Sequence, residues 1–126
     1  MIPGKQNGAG FLESFRHAAA GIAHASRGRN FRVQSAFGVL AVVLGLWLKI
    51  STFEWIAVII CVGVVLGGEC LNTALEDIVD MVSPTFHPLA KTGKDCAAGA
   101  VLCCAIASLI VGVVIFLPKL LHVLFG

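Results

Sequence analysis

The chain has 126 residues, of which 58% are hydrophobic and 13% are charged, and its mean hydropathy is +0.94. Soluble domains average about 45–50% apolar and about 25% charged residues, so this composition disfavours a soluble globular protein and predicts one integral membrane domain over residues 1–126. The net charge of +2 gives no support to a nucleic-acid partner.

The first predicted element is an amphipathic helix over about residues 10–30. Phe11, Phe15 and Ile22 recur at helical spacing, whereas Arg16 falls on another face. A helix this polar is expected to lie in the membrane interface with its apolar face down.

Three apolar segments follow, over about residues 33–50, 54–82 and 96–117. About 20 residues at a rise of 1.5 Å cross the ~30 Å hydrocarbon core, so each is a candidate transmembrane helix. The third is the clearest, because residues 97–117 contain no charge, and Pro118 is predicted to end it. The predicted fold is an all-α membrane protein with an N-terminal surface helix and three transmembrane helices.

Basic residues are distributed unevenly over the segments that connect these elements. Seven lie before the first span or between the second and third, and two lie on the other side of the membrane. Because cytoplasmic segments are enriched in Lys and Arg, this predicts a cytoplasmic N-terminus. The seven are Lys5, Arg16, Arg27, Arg29, Arg32, Lys91 and Lys94, and the two are Lys49 and Lys119.

Four of the seven acidic residues fall within residues 69–80, at the end of the second apolar segment. On a helix turning 100° per residue, Glu69, Glu76 and Asp80 form a ridge about 16 Å long, with Asn72 beside it. Charge is costly next to a membrane span, so these residues are candidates for a functional site. Their mutual repulsion predicts either a protonated carboxyl group or a bound cation.

This ridge has the oxygen ligands that suit Mg²⁺ carrying substrate phosphates. Lys94 and Asp95, expected in a loop over residues 83–95, add a cation for phosphate oxygens and another carboxylate. Phosphoryl transfer needs little more than a metal, positive charge and a positioning group. The deepest carboxylate, Glu69, could meet a lipid hydroxyl, and the shallower Glu76 and Asp80 could meet a soluble nucleotide. A structural polar network and an ion or proton path are alternatives that the spacing leaves open.

Other candidate groups have no ligand pattern. The five cysteines form no CxxC spacing and are interpreted as small packing residues. Four histidines without metal-ligand spacing are interpreted as interfacial polar residues: His17, His24, His87 and His122.

The run GECLNTALEDIVD, followed by FHPLAKTGKD, resembles the prokaryotic diacylglycerol kinase family, especially its undecaprenol kinase branch. The likeness covers about residues 11–118. Its motif residues are Glu69, Asn72, Thr73, Ala74, Glu76, Asp80, His87, Pro88, Leu89, Lys94 and Asp95.

The resemblance implies a homotrimer in the bacterial cytoplasmic membrane, with active sites shared between subunits at the cytoplasmic face. It implies ATP as phosphate donor, Mg²⁺ as cofactor and a lipid hydroxyl as acceptor, that of undecaprenol or alternatively diacylglycerol.

The resemblance also implies roles for individual residues. Glu69 would be the general base, Asn72 and Asp80 would support catalysis, and Glu76 would bind the metal. The residues implied to bind nucleotide are His17, Glu76, Thr85, Phe86, His87, Lys94 and Asp95.

One position departs from the family pattern. A second metal-binding glutamate usually precedes the Arg-Asn-Phe-Arg stretch that begins at Arg29, but here the residue is Gly28. Glu76 could then hold the ion with phosphates and water, or Asp77 or Asp80 could substitute. Reduced activity, a catalytically silent protein and a small transporter are further possibilities.

Overall fold

The computed structural model describes residues 10–126, and residues 1–9, which include Lys5, lie outside this range. It contains four helices: α1 (Gly10–Ala25), α2 (Arg29–Leu48), α3 (Thr52–Val82) and α4 (Pro88–Phe125). By length and composition, α2, α3 and α4 can each cross a membrane. The predicted all-α fold, with an N-terminal helix before three apolar spans, is confirmed.

The turn between α1 and α2 begins earlier than predicted. The N–H groups of Arg27 and Gly28 donate to the carbonyls of His24 (3.2 Å) and Ala25 (3.0 Å), which ends α1 at Ala25 and not near residue 30. Gly28 then has extended backbone at the N-cap of α2. As a result α2 begins at Arg29, within the basic segment and before the apolar run.

Helix α4 extends beyond both ends of the third predicted apolar segment. Helix α4 begins at Pro88, eight residues before position 96, because proline suits the first turn of a helix and the His87 ring accepts the N–H of Leu89 at 3.1 Å. Pro118 does not end the helix, which continues to Phe125. Proline removes one backbone donor, a loss that membrane helices tolerate where other groups satisfy the freed carbonyl.

The beginning of α3 is fixed by its own capping residues and by α4. Ser51 and Glu54 form a capping box, with the Ser51 N–H donating to Glu54 Oε1 at 2.9 Å. The same carboxylate oxygen lies 3.3 Å from Lys119 Nζ on α4. This ion pair joins α3 and α4 at the end of the bundle away from the acidic ridge.

The small core lies near the same end. Ile50, Val58, Ile115 and Phe116 form its buried cluster, and α3 packs against α4 more extensively than against α2. Only 6% of the apolar window in α2, and 17% of those in α3 and α4, is buried within the chain. Most apolar side chains therefore face outward, toward lipid or other protein. The five cysteines are free, and Cys96 and Cys103 are exposed, so within this chain those two are not covered by other residues.

One glycine of α2 lies in close contact with neighbouring side chains. Gly45 is buried, and a Cβ atom at this position would lie 2.8 Å from the Trp55 ring and 3.0 Å from Ile50 Cδ1. The absence of a side chain at Gly45 therefore allows α2 to pack beside the beginning of α3.

We expect Gly45→Val to destabilise the folded chain by about 1–3 kcal/mol, because the added atoms must displace the Trp55 ring. Thermal unfolding in a mild detergent measures the effect. Gly63→Val is the matched control, since a Cβ at Gly63 meets nothing within 4 Å. Equal unfolding temperatures for the two variants would contradict this description of the packing.

Candidate active site

The deepest polar groups of the bundle lie on α3 between apolar residues. Glu69 and Asn72 are only 4% and 9% exposed. Glu69 Oε1 and Asn72 Oδ1 are fully buried and have no hydrogen-bond partner within residues 10–126. Leaving a buried polar group unpaired costs about 1–3 kcal/mol, and more for a charged one. A cost of this kind is typical of groups retained for chemistry.

Glu76 extends this polar arrangement toward water. The Asn72 amide donates to Glu76 Oε1 at 3.2 Å, one turn further along α3. Glu76 itself is exposed, whereas Glu69 is buried. The ridge thus changes from buried to exposed along the helix, and Asn72 connects its two parts.

The exposed end of the ridge is joined to α4 by an ion pair. Lys94 Nζ donates to Asp80 Oδ1, and the Lys94 side chain is half-buried. The prediction placed Lys94 in a loop, but it lies in the second turn of α4. Helical structure sets its position relative to Asp80, so this cation is held at the end of the acidic ridge.

Asp95 does not face the same way as Lys94. It is exposed and accepts from Lys91 at 2.6 Å, an i,i+4 pair on the surface of α4. Asp95 was also predicted in a loop, and the early start of α4 corrects that position as well. In the structure its carboxylate is neutralised locally and does not join the ridge.

The connection between α3 and α4 contains three more of the predicted nucleotide contacts. The Ser83 hydroxyl donates to the Thr85 carbonyl at 2.8 Å, which shapes the turn. Phe86 is 79% exposed, and His87 caps α4 through its ring nitrogen. These residues border the same end of α3 as Asp80 and leave an aromatic ring open to solvent.

His17 lies apart from these groups, on α1. Its Nε2 atom is 3.8 Å from Glu13 Oε2, one turn earlier, and both side chains are exposed. Within residues 10–126 no hydrogen bond or ion pair joins His17 to α3.

A contact that the sequence did not indicate connects α1 to α3. His24 Nε2 lies 2.8 Å from Asp77 Oδ2, although the residues are 53 positions apart. His24 was interpreted as an interfacial polar residue. Its partner follows Glu76 directly, so the last turn of α1 lies beside the exposed part of the ridge.

The same turn contains Gly28, where the family pattern has a carboxylate. Its φ of −72° is accessible to any residue, although a Cβ would lie 3.3 Å from the Ala25 carbonyl oxygen, a tight contact that a small shift of the turn would have to relieve. Backbone geometry therefore does not require glycine here.

The residues that could hold a divalent cation are few. No group of three or more His, Cys, Asp or Glu side chains between Gly10 and Gly126 is arranged to bind a metal ion. Asp77 is engaged by His24 and Asp80 by Lys94. Glu76 remains, with the buried oxygen of Asn72 one turn away. This donor set suits Mg²⁺ that keeps water and phosphate ligands, and does not suit a cage built from protein alone.

Known proteins match this chain over most of its length. A family model described as prokaryotic diacylglycerol kinase matches residues 16–116. Undecaprenol kinase of Bacillus subtilis strain 168 is 42% identical over 111 residues, which cover 87% of this chain and 90% of that protein.

Two further relatives have a different stated substrate. Diacylglycerol kinase of Synechocystis is 44% identical over 117 residues, or 90% of this chain and 66% of that protein. Diacylglycerol kinase of Escherichia coli K12 is 34% identical over 80 residues, or 64% of this chain and 66% of that protein.

The fold and the matches define a membrane-embedded lipid kinase whose polypeptide crosses the bilayer more than once. The chain belongs to the prokaryotic diacylglycerol kinase family. This confirms the resemblance and the predicted kinase class.

Proposed function

We propose that this protein transfers the γ-phosphate of ATP to the hydroxyl group of undecaprenol, forming undecaprenyl phosphate and ADP. The observation that carries the proposal is the buried, unpaired carboxylate oxygen of Glu69, one turn from Asn72 and two turns from the exposed Glu76. A base at that depth can meet a hydroxyl presented from the bilayer, while the nucleotide stays in water.

In the proposed reaction, Glu69 acts on the lipid hydroxyl, and residues further along the ridge act on the nucleotide. Glu69 accepts the proton of the lipid hydroxyl as that oxygen attacks the γ-phosphorus, and the bond from the γ-phosphorus to the β-phosphate bridging oxygen breaks. Asn72 holds Glu76 through its amide. Lys94, kept in place by Asp80, adds positive charge beside the phosphates of the leaving ADP. Mg²⁺, when bound at Glu76, would neutralise charge on the phosphates.

The remaining nucleotide contacts are proposed by position. Thr85, Phe86 and His87 line the connection next to Asp80, where a nucleotide would arrive from water. The surface residues His17 and Asp95 are assigned to the same nucleotide, although each has a local partner in the structure.

We also propose a setting for this reaction. The uneven distribution of Lys and Arg supports a cytoplasmic N-terminus and a site at the cytoplasmic face of the bacterial plasma membrane. The large outward-facing apolar surface of residues 10–126 is compatible with a homotrimer, in which a neighbouring subunit would cover part of it.

Replacement of the proposed base should stop phosphate transfer. Glu69→Gln keeps the size of the side chain but cannot accept the proton, so we expect the rate to fall by about 10²–10⁴-fold. Transfer of labelled phosphate from ATP to undecaprenol in mixed micelles measures this. Glu54→Gln, at the other end of α3, is the matched control and should retain most activity. A Glu69→Gln variant that keeps the normal rate would refute the assignment.

Relatives named for two different lipid acceptors match the chain. Undecaprenol is preferred because the relative named for it is matched over 90% of its length, against 66% for the two diacylglycerol kinases. We therefore expect kcat/KM for undecaprenol to exceed that for diacylglycerol by about tenfold or more, which corresponds to about 1.4 kcal/mol. Rates measured side by side in the same micelles decide this, and equal or reversed values would favour diacylglycerol.

Gly28 gives a test of the proposed metal ligand. Restoring a carboxylate with Gly28→Glu should lower the Mg²⁺ concentration that gives half-maximal activity by about tenfold, because a second anionic ligand strengthens binding. Gly28→Gln controls for side-chain size. If both variants need the same Mg²⁺ concentration as the unsubstituted protein, a side chain at position 28 does not reach the ion.

A further inference from the structure

Helix α1 is anchored to the rest of the protein at one end only. Ala25, at 1% exposed, is its single buried residue within Gly10–Ala25, and Phe11 at the opposite end is 80% exposed. The turn after Ala25 is fixed by backbone bonds and by Arg32, whose Nε donates to the Ser26 carbonyl at 3.3 Å. The one side-chain bond from α1 to a transmembrane helix, among the described residues, is the 2.8 Å bond between His24 and Asp77.

This bond also determines which face of α1 is turned toward α3. His17 precedes His24 by seven residues, so the two side chains lie within about 20° of one face and about 10 Å apart along the helix axis. Gly21, between them, has nothing within 4 Å of a Cβ position, so this stretch of α1 is open. Glu13 continues the polar face beyond His17.

Asp77, the partner of His24 on α3, lies next to the candidate site. Asp77 follows Glu76 directly on α3, so the bond at Asp77 places the last turn of α1 beside the exposed end of the acidic ridge. His24 can donate this bond as the neutral tautomer that has its proton on Nε2, or as the imidazolium. The His24–Asp77 bond can therefore fix the position of α1 without a change of protonation.

We propose that His24 and Asp77 are a positioning pair that holds α1 across the site and sets the affinity for the nucleotide. This rests on the proposed function, in which the nucleotide lies at Glu76. Neither residue touches the reacting atoms. Since α1 has so few other contacts with α3, even a bond between exposed groups changes the population of the docked helix by about fivefold.

The test separates nucleotide binding from the chemical step. In mixed micelles with saturating lipid alcohol, His24→Ala and Asp77→Ala should each raise KM for ATP about fivefold and leave kcat within about twofold. The double variant should be no worse than either single variant, because both remove the same bond. The exchanged pair, His24→Asp with Asp77→His, should restore KM. His122→Ala, a histidine at the opposite end of the bundle, is the control and should not change KM.

A second measurement does not depend on activity. Amide hydrogen exchange over residues 20–25 should be about fivefold faster in both single variants and normal in the exchanged pair. Unchanged exchange and unchanged KM in the single variants, additive losses in the double variant, or a fall in kcat with constant KM would each overturn the proposal. If the unsubstituted protein transfers no phosphate from ATP, the proposed function fails instead, and exchange alone still shows whether the pair anchors α1.

Discussion

The candidate active site depends on two buried oxygen atoms, Glu69 Oε1 and Asn72 Oδ1. They lie on a helix that otherwise faces apolar surroundings. Neither has a partner among residues 10–126, and water is scarce at this depth in a membrane protein. A helix of this composition would be more stable with apolar residues at both positions. A Cβ atom at Gly68, directly before Glu69, would lie 3.9 Å from the Val101 side chain of α4, an ordinary contact distance. Glu69 itself is 4% exposed, so its carboxyl group is buried where α3 packs beside α4.

From this buried point the polar groups of α3 make successive contacts toward water, each with a different partner. Asn72 holds Glu76 within the helix, Asp77 binds His24 of α1, and Asp80 binds Lys94 of α4. Three helices are thus joined at one end of the bundle by side chains from less than three turns of α3. At the other end, the Glu54–Lys119 pair and the small apolar core hold α3 and α4 together. The site end of the bundle is polar and open, and the opposite end holds the apolar core.

Periodicity and hydropathy predicted the number, type and order of the helices, because apolar surface and helical spacing are local properties of the chain. They also placed Glu69, Asn72 and Glu76 on one face. The limits of α4 could not be predicted in this way, because Pro88 begins the helix and Pro118 lies within it. The sequence alone does not tell whether a proline starts a helix, ends it or is tolerated inside it. The His24–Asp77 bond joins residues 53 positions apart, with no motif that marks either one. Lys94 was predicted as a phosphate-binding cation, but its pairing with Asp80 depends on how α3 and α4 meet, which a single sequence does not specify.

In the proposed mechanism the ridge has a lipid end at Glu69 and a nucleotide end at Glu76. The most direct measurement is the Kd of Mg-ATP for Glu69→Gln and Glu76→Gln, taken without lipid acceptor. We expect Glu69→Gln to bind ATP within about twofold of the unsubstituted protein, although its rate of phosphate transfer is about 10²–10⁴-fold lower, and Glu76→Gln to bind ATP about tenfold or more weakly. Weakened binding in Glu69→Gln together with normal binding in Glu76→Gln would contradict the division of the site by depth.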